Sequence, residues 1–250
     1  MLFRNIMYTA FFSAVIAGLL LGTLQAFSTT PVIYSAEIYE PTEELPTTPS
    51  PHRDNATTHS HQDGGEAWEP ASRSERIAYT FLADILIAFG HSLLLTSFVA
   101  FIFLKFGKPE ISWRSGIIIG VGGYLSFYLA TVIGLPPEVP GTVAADLHAR
   151  QLWWTLTIVA TIIGLSILYL APSAFKVAGL VFIVLPHILG APHPEMHGFL
   201  NQEKEAISAL SKLEHQFLIS TAWVNLVYWL VLGLFSGLFA SKFLKMKAVS

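Results

Sequence analysis

Six apolar segments, each close to the length that crosses a bilayer, constrain this chain more than any single motif. A spanning helix needs roughly 20 mostly apolar residues. Runs of that kind occupy Ile6 to Phe27, Ile77 to Leu104, Gly116 to Leu135, Leu152 to Leu170, Phe175 to Leu189 and Phe217 to Ala240. With 12% charged residues among 250, too few side chains remain to coat a water-soluble domain of this size. The expected fold is therefore all-α: a single transmembrane domain over residues 1–250, built as a polytopic helix bundle. It has six spans, or five if Phe175 to Leu189, the shortest and the one holding Pro186 and His187, does not cross. Small residues four apart, Ala14, Gly18 and Gly22, Gly116 and Gly120, Ala160 and Gly164, Gly233 and Gly237, let helix backbones approach closely.

When the connecting loops are assigned alternately to two sides, nearly every carboxylate and histidine falls on one of them. Lys105, Lys108, Arg114 and Lys176 lie in loops on the other side, with Arg4 near the N-terminus and Lys242, Lys245 and Lys247 near the C-terminus. By the excess of Lys and Arg in cytoplasmic segments, both termini are expected inside. The first apolar run is longer than a secretory h-region, and Leu24-Gln25-Ala26 is a poor cleavage site, so it is expected to stay as a helix. With Cys 0, neither disulfides nor thiolate ligands are available. No phosphate-binding loop is present, since Gly107-Lys108 is followed by Pro109. The expected partner is the lipid bilayer, and no nucleic-acid partner is indicated.

Residues 41–70 are rich in Pro, Thr, Ser, His and acidic residues, and bury too little apolar surface to offset the entropy of ordering. They are expected to form a flexible extracytoplasmic loop, in which His59 and His61 put two imidazoles close together among several carboxylates. Imidazole and carboxylate suit first-row divalent cations, so this loop reads as an antenna that concentrates them near the mouth.

Inside the second span, Asp84 and His91 are seven residues apart and so share a helix face two turns apart. A carboxylate at mid-bilayer is costly, about 2.5–3.5 kcal/mol on insertion scales, and normally faces a bundle interior or a water-filled path. The pair reads as successive stations for a cation or a proton. The densest ligand cluster ends the fifth segment, where His187, His193, Glu195 and His197 fall within eleven residues. There Pro186 is expected to loosen the helix and free a carbonyl, while Pro194 argues against a regular helix through His193 and His197. Two further acidic sites flank the mouth. Glu37 and Glu40 are adjacent if a helix resumes after the first span, and Glu138 lies in a Pro/Gly-stiffened hairpin whose Arg150 is expected to pair with an acid. Trp153 and Trp154 are expected in the aromatic belt.

Several of these segments together resemble one family. Ala36-Glu37-Ile38-Tyr39-Glu40, Pro136-Pro137-Glu138-Val139-Pro140-Gly141, Ala145-Asp146-Leu147, Arg150-Gln151-Leu152-Trp153-Trp154 and Leu185-Pro186-His187-Ile188-Leu189-Gly190-Ala191-Pro192 are similar, in this order, to the CbtA family of cobalt transporter membrane subunits. The resemblance implies a multi-pass inner-membrane protein that imports cobalt for cobalamin synthesis, often with a one-span, histidine-bearing CbtB partner. It also implies five spans rather than six.

The reading is thus membrane transport of a divalent cation, with cobalt favoured over nickel or zinc, no enzyme activity and no permanently bound cofactor. The metal-handling candidates are His187, His193, His197, Glu195, Asp84, His91, Glu37, Glu40, Glu138, His59 and His61. The rival is a non-transporting accessory protein that binds or senses metal at its outer face. A di-iron oxygenase is disfavoured because no adjacent His-His pair occurs and the histidines do not gather on the inner side.

Overall fold

The computed structural model describes residues 2–40, 70, 72–106 and 111–244. His59, His61, the rest of 41–69, and Lys245 and Lys247 lie outside the described residues. Among those described, the chain is helical throughout, with α1 Leu2–Phe27, α2 Thr29–Glu37, α3 Arg73–Phe106, α4 Trp113–Tyr124, α5 Ala130–Gly134, α6 Leu147–Leu170, α7 Lys176–Leu189 and α8 Lys204–Phe243. A π-helical turn, Leu125–Leu129, joins α4 to α5 into one rod. Five rods are long and apolar enough to cross a membrane: Leu2–Phe27, Arg73–Lys105, Trp113–Gly134, Leu147–Leu170 and Lys204–Phe243. The chain is an all-α membrane helix bundle.

The sixth expected span takes a different form. Phe175 to Leu189 becomes α7, 14 residues long after a 3-10 turn at Ser173–Phe175. At 1.5 Å per residue it is about 21 Å long, short of the roughly 30 Å of hydrocarbon. It nevertheless returns the chain. Gly164 of α6 packs on Gly179 of α7, and Trp153 near the start of α6 bonds the Pro186 carbonyl near the end of α7, so the two run antiparallel as a hairpin. Five long rods and five changes of direction are thus compatible. The Asn5 side-chain amide donates to the Phe243 carbonyl at 2.8 Å, which puts both ends of the described bundle at one face.

The seams between helices are where the small residues sit. Gly116, Gly120 and Gly123 of α4 press on Gly237, Gly233 and Trp229 of α8, backbone to backbone at the first two. Gly18 of α1 meets the Ile85 backbone of α3, where an added Cβ would lie 2.6 Å from the Ile85 Cα. α1, α3 and α8 bury Ala14, Ala17, Leu21, Ala88, Leu95, Val224, Tyr228 and Leu232 between them.

At the opposite face from Asn5 the helices outrun the membrane. The 40 residues of α8 reach about 60 Å, twice the hydrocarbon thickness. Its first turns, α2 and the segments around residues 135–146 and 190–203 form a cap with its own core of Ala36, Val139, Phe199 and Leu210. A short antiparallel bridge, Thr142 to Phe199, ties the cap together, with the Val143 amide on the Gly198 carbonyl and the Leu200 amide on the Gly141 carbonyl. Gly141 and Gly198 sit at φ +83° and +119° there, conformations open to glycine and strained for other residues.

Candidate cation path

Asp84 enters the bundle on α3, within an i, i+4 stripe that continues as Ala88, Ser92, Thr96 and Ala100. Its side chain is 5% exposed and points at α1, since a Cβ on Gly22 would fall 3.1 Å from its Oδ2. That oxygen is buried and has no hydrogen-bond partner among the described residues. Thr80, one turn away, donates to the Arg76 carbonyl instead. Tyr228 of α8 lies within the electrostatic reach of the carboxyl. Glycine at position 22 makes room for the carboxyl, and the same helix spacing that buries Ala88 and Ser92 also buries Asp84.

His91 shares the Asp84 face broadly but has its own partners. Its Nδ1 and the Tyr228 hydroxyl are 2.9 Å apart, and its ring lies 4.8 Å from the Phe127 ring and 4.7 Å from that of Trp229. Phe127 is delivered by the π-helical turn, whose extra residue re-aims side chains in the α4–α5 rod; such turns recur at functional sites. Tyr128 from the same turn bonds Thr221 of α8 at 2.9 Å. Tyr228 is thus the hydrogen-bond partner of His91.

The histidines at the end of α7 belong to the cap. His193 and His197 are exposed, with ring centroids 6.1 Å apart, and both line a cavity of about 550 Å³ together with Glu138, Glu214, Gln202 and Thr142. Glu195 is exposed between them, outside that lining. His187 sits half-buried in the last turn of α7, its ring edge-on to Trp153 at 5.8 Å.

Other residues singled out in the sequence are engaged elsewhere. Glu37 closes α2 in a two-pronged ion pair with Arg76, and Glu40 follows one tight turn beyond the helix end, its amide donating to the Glu37 carbonyl at 3.2 Å. Glu138 pairs with Arg150 at 2.7 Å, as the hairpin chemistry suggests. Asp146 caps α6 by accepting from the Ala149 amide. Pro186 leaves α7 unbroken to Leu189; the carbonyl its missing N–H frees is that of Phe182, one turn back, while its own carbonyl accepts from the Trp153 indole and the Gly190 amide. Trp153 is accordingly buried between α5 and α7 rather than placed in an aromatic belt, whereas Trp154 is exposed. Among the described residues, no three histidine or carboxylate side chains converge into a group that could hold a metal ion.

Sequence reasoning missed Glu214, which lies on α8 before the apolar window begins, and Tyr228, which reads as an ordinary aromatic within a span. The heptad separation of Asp84 and His91 carried no hint of the tyrosine that bonds His91. The buried Ser13, Ser92 and Ser236 are signalled only by lying four residues from the buried Ala17, Ala88 and Leu232 of their own helices.

A bundle of long apolar helices with a buried, partnerless carboxyl and a polar cap at one end defines a polytopic membrane protein with an ionisable group in its interior. The sequence matches, over residues 3–241, the family described as the probable cobalt transporter subunit (CbtA), and the chain belongs to that family. No curated protein and no solved structure matches it.

Proposed function

We propose that this chain carries a divalent transition-metal cation, cobalt(II) foremost, across the inner membrane into the cytoplasm, as one subunit of an assembly. Family membership supports the cargo and the subunit role. The Asp84 carboxyl is the observation that carries the proposal, because a buried oxygen with no partner is expensive in hydrocarbon and is stabilised by a passing cation. Cations gather at the cap, where His193, His197, Glu138 and Glu214 line one cavity, and pass His187 on the way down. Asp84 receives them inside the bundle, with His91 and Tyr228 beside it. The antenna role of His59 and His61 and the contribution of Glu37, Glu40 and Glu195 belong to the approach. A one-span CbtB-like partner would complete the assembly. The clustering of Lys and Arg near Arg4, Arg114 and Lys242 supports cytoplasmic termini.

The test is uptake of radioactive cobalt into proteoliposomes holding the purified chain, alone and with a one-span partner. The expected result is uptake by the wild type that Asp84→Asn abolishes and His187→Ala reduces. Folded, correctly oriented protein that shows no uptake in either format would sink the permease reading.

One observation favours an accessory role instead. Glu37 and Glu138 are already neutralised by Arg76 and Arg150, and no three ligands converge. A protein that only presents metal to a partner at its outer face would bind cobalt at the cap yet take none up in either format, and that result separates the two.

A further inference from the structure

Below Asp84 the interior of α1, α3 and α8 is built in levels. Gly18 opposite Ile85 and Gly22 opposite Phe81 and Asp84 fix the antiparallel register of α1 and α3. Asn5 bonded to Phe243 fixes that of α1 and α8, and Ser92 bonded to Ser236 at 3.0 Å fixes α3 and α8. Carrying these registers along the helices puts Ala17, Ala88 and Leu232 on one level, all 0% exposed. The next level toward the inner face holds Ser13, Ser92 and Ser236, and the one after that Thr9, Thr96 and Ala240. Every one of these side chains is buried. On each helix the residues recur at i, i+4, so each level is a triangle of one residue per helix.

Two of the hydroxyls have no partner. Ser13 Oγ and Thr96 Oγ1, at 0% and 1% exposure, make no hydrogen bond among the described residues. Serines that serve only to join helices are satisfied across the interface or by a carbonyl one turn back, as Ser92 and Ser236 are by each other and Thr9 is by the Asn5 carbonyl. Ser13 and Thr96 do neither, and they share this condition with Asp84 Oδ2 higher in the same column.

We propose that Ser13, Ser92, Ser236, Thr9 and Thr96 line the inner half of the cation path, below a collar of Ala17, Ala88 and Leu232 that closes it in the conformation seen here. The inference rests on the transport reading and extends it from the binding carboxyl to the exit. Its chemistry is that of release. Above the collar a cation meets a carboxylate, whereas below it only neutral hydroxyl oxygens, which solvate a divalent ion together with water without holding it. Conduction needs such a step, strong enough to admit the ion and weak enough to let it leave.

The chain has no cysteine, so single substitutions report on each level without background. Ser13→Cys, Ser92→Cys, Ser236→Cys and Thr96→Cys each replace a hydroxyl by a thiol of similar size, and each is checked for a wild-type elution profile before use. Phe11→Cys and Leu94→Cys, outward-facing on α1 and α3 at 54% and 59% exposure, are the lipid-facing controls. The proteins in liposomes are treated with a charged methanethiosulfonate reagent, with and without cobalt(II). The penalty for bringing a charged group into hydrocarbon leads us to expect labelling of the path positions about 100-fold faster than of the controls, slowed when cobalt is present. Labelling at the control rate at all four positions, even in protein that takes up cobalt, overturns the path and leaves the hydroxyls as helix-joining groups. Fast, cobalt-protected labelling in protein that shows no uptake, alone or with a one-span partner, supports the path as a cation-accessible column while overturning the transport reading it extends.

Discussion

The cap and the membrane core treat carboxylates in opposite ways. In the cap, Glu37 and Glu138 are each held by an arginine, partly exposed to water, and Asp146 is spent on a helix N-terminus. In the core, Asp84 has a phenol and a glycine for neighbours and one oxygen with no partner. Water makes the difference. An exposed ion pair adds little energy and mostly fixes geometry, so the cap uses charge to hold loops in place. In hydrocarbon the same group is costly unless something neutralises it, so a lone carboxyl in the core is a feature the rest of the bundle must support. Charge held in ion pairs at the mouth fixes loops, and the unpaired carboxyl of the interior is the group to which we assign the proposed transport.

The largest test of that contrast is Asp84→Asn. It should abolish cobalt uptake in proteoliposomes while leaving the protein at least as resistant to thermal unfolding in detergent, because a buried unpaired ionisable group is removed. Loss of stability together with uptake would show that the carboxyl is structural and collapse the comparison.

Next come the seams that hold the column together. Gly233→Leu puts a side chain into the Gly116 carbonyl and the Gly120 backbone, where α4 cannot yield without moving. A cost of about 3 kcal/mol or more is expected, at the upper end of overpacking effects, read as a lowered melting temperature. Gly90→Leu on α3, where an added Cβ meets nothing within 4 Å, should change little.

In the cap, His193→Ala with His197→Ala should raise the cobalt concentration needed for half-maximal uptake several-fold and leave the maximal rate unchanged, since these rings lie before the buried step. A fall in maximal rate would move them into the path itself. The smallest effects belong to the ion pairs. Arg150→Ala should cost about 1 kcal/mol of stability, because its pair with Glu138 is about three-quarters buried. Arg76→Ala, whose pair with Glu37 is more exposed, should cost about 0.5 kcal/mol or less. Both are measured by detergent unfolding, and a loss of uptake from either would contradict the view of cap charges as architecture.

Much of the architecture was legible before any coordinates. Apolar length located the rods because hydrocarbon forces backbone amides to pair within a helix. The four-residue spacing of Gly116, Gly120, Gly233 and Gly237 marked the seam, although only the structure shows that the two pairs face each other. The Pro/Gly-stiffened hairpin, and the pairing of Arg150 with one of its neighbouring acids, followed from local chemistry; that the acid is Glu138 came from the structure. Hydropathy did not show that α8 runs on for 40 residues, because its first turns are polar and pack on α2 and the loops rather than on lipid. Nor did it show that Phe175 to Leu189 would form a short returning helix, whose length is set by the turn at Ser173–Phe175 and by Gly190 at φ +84°.

The candidate site divides in the same way. Composition and spacing alone determined that this is a helix bundle, that Asp84 lies in its interior face, and that histidines gather near the end of α7. Those are properties of single helices, fixed by a 3.6-residue period and the cost of charge in a bilayer. Tertiary structure decided which carboxylates are paired, that Tyr228 bonds His91, that Glu214 joins the outer cavity, and that Ser92 meets Ser236 across α3 and α8. Each depends on the register between helices, and register comes from the close packing of glycines, alanines and aromatic rings distant in sequence, which no local pattern in the chain records.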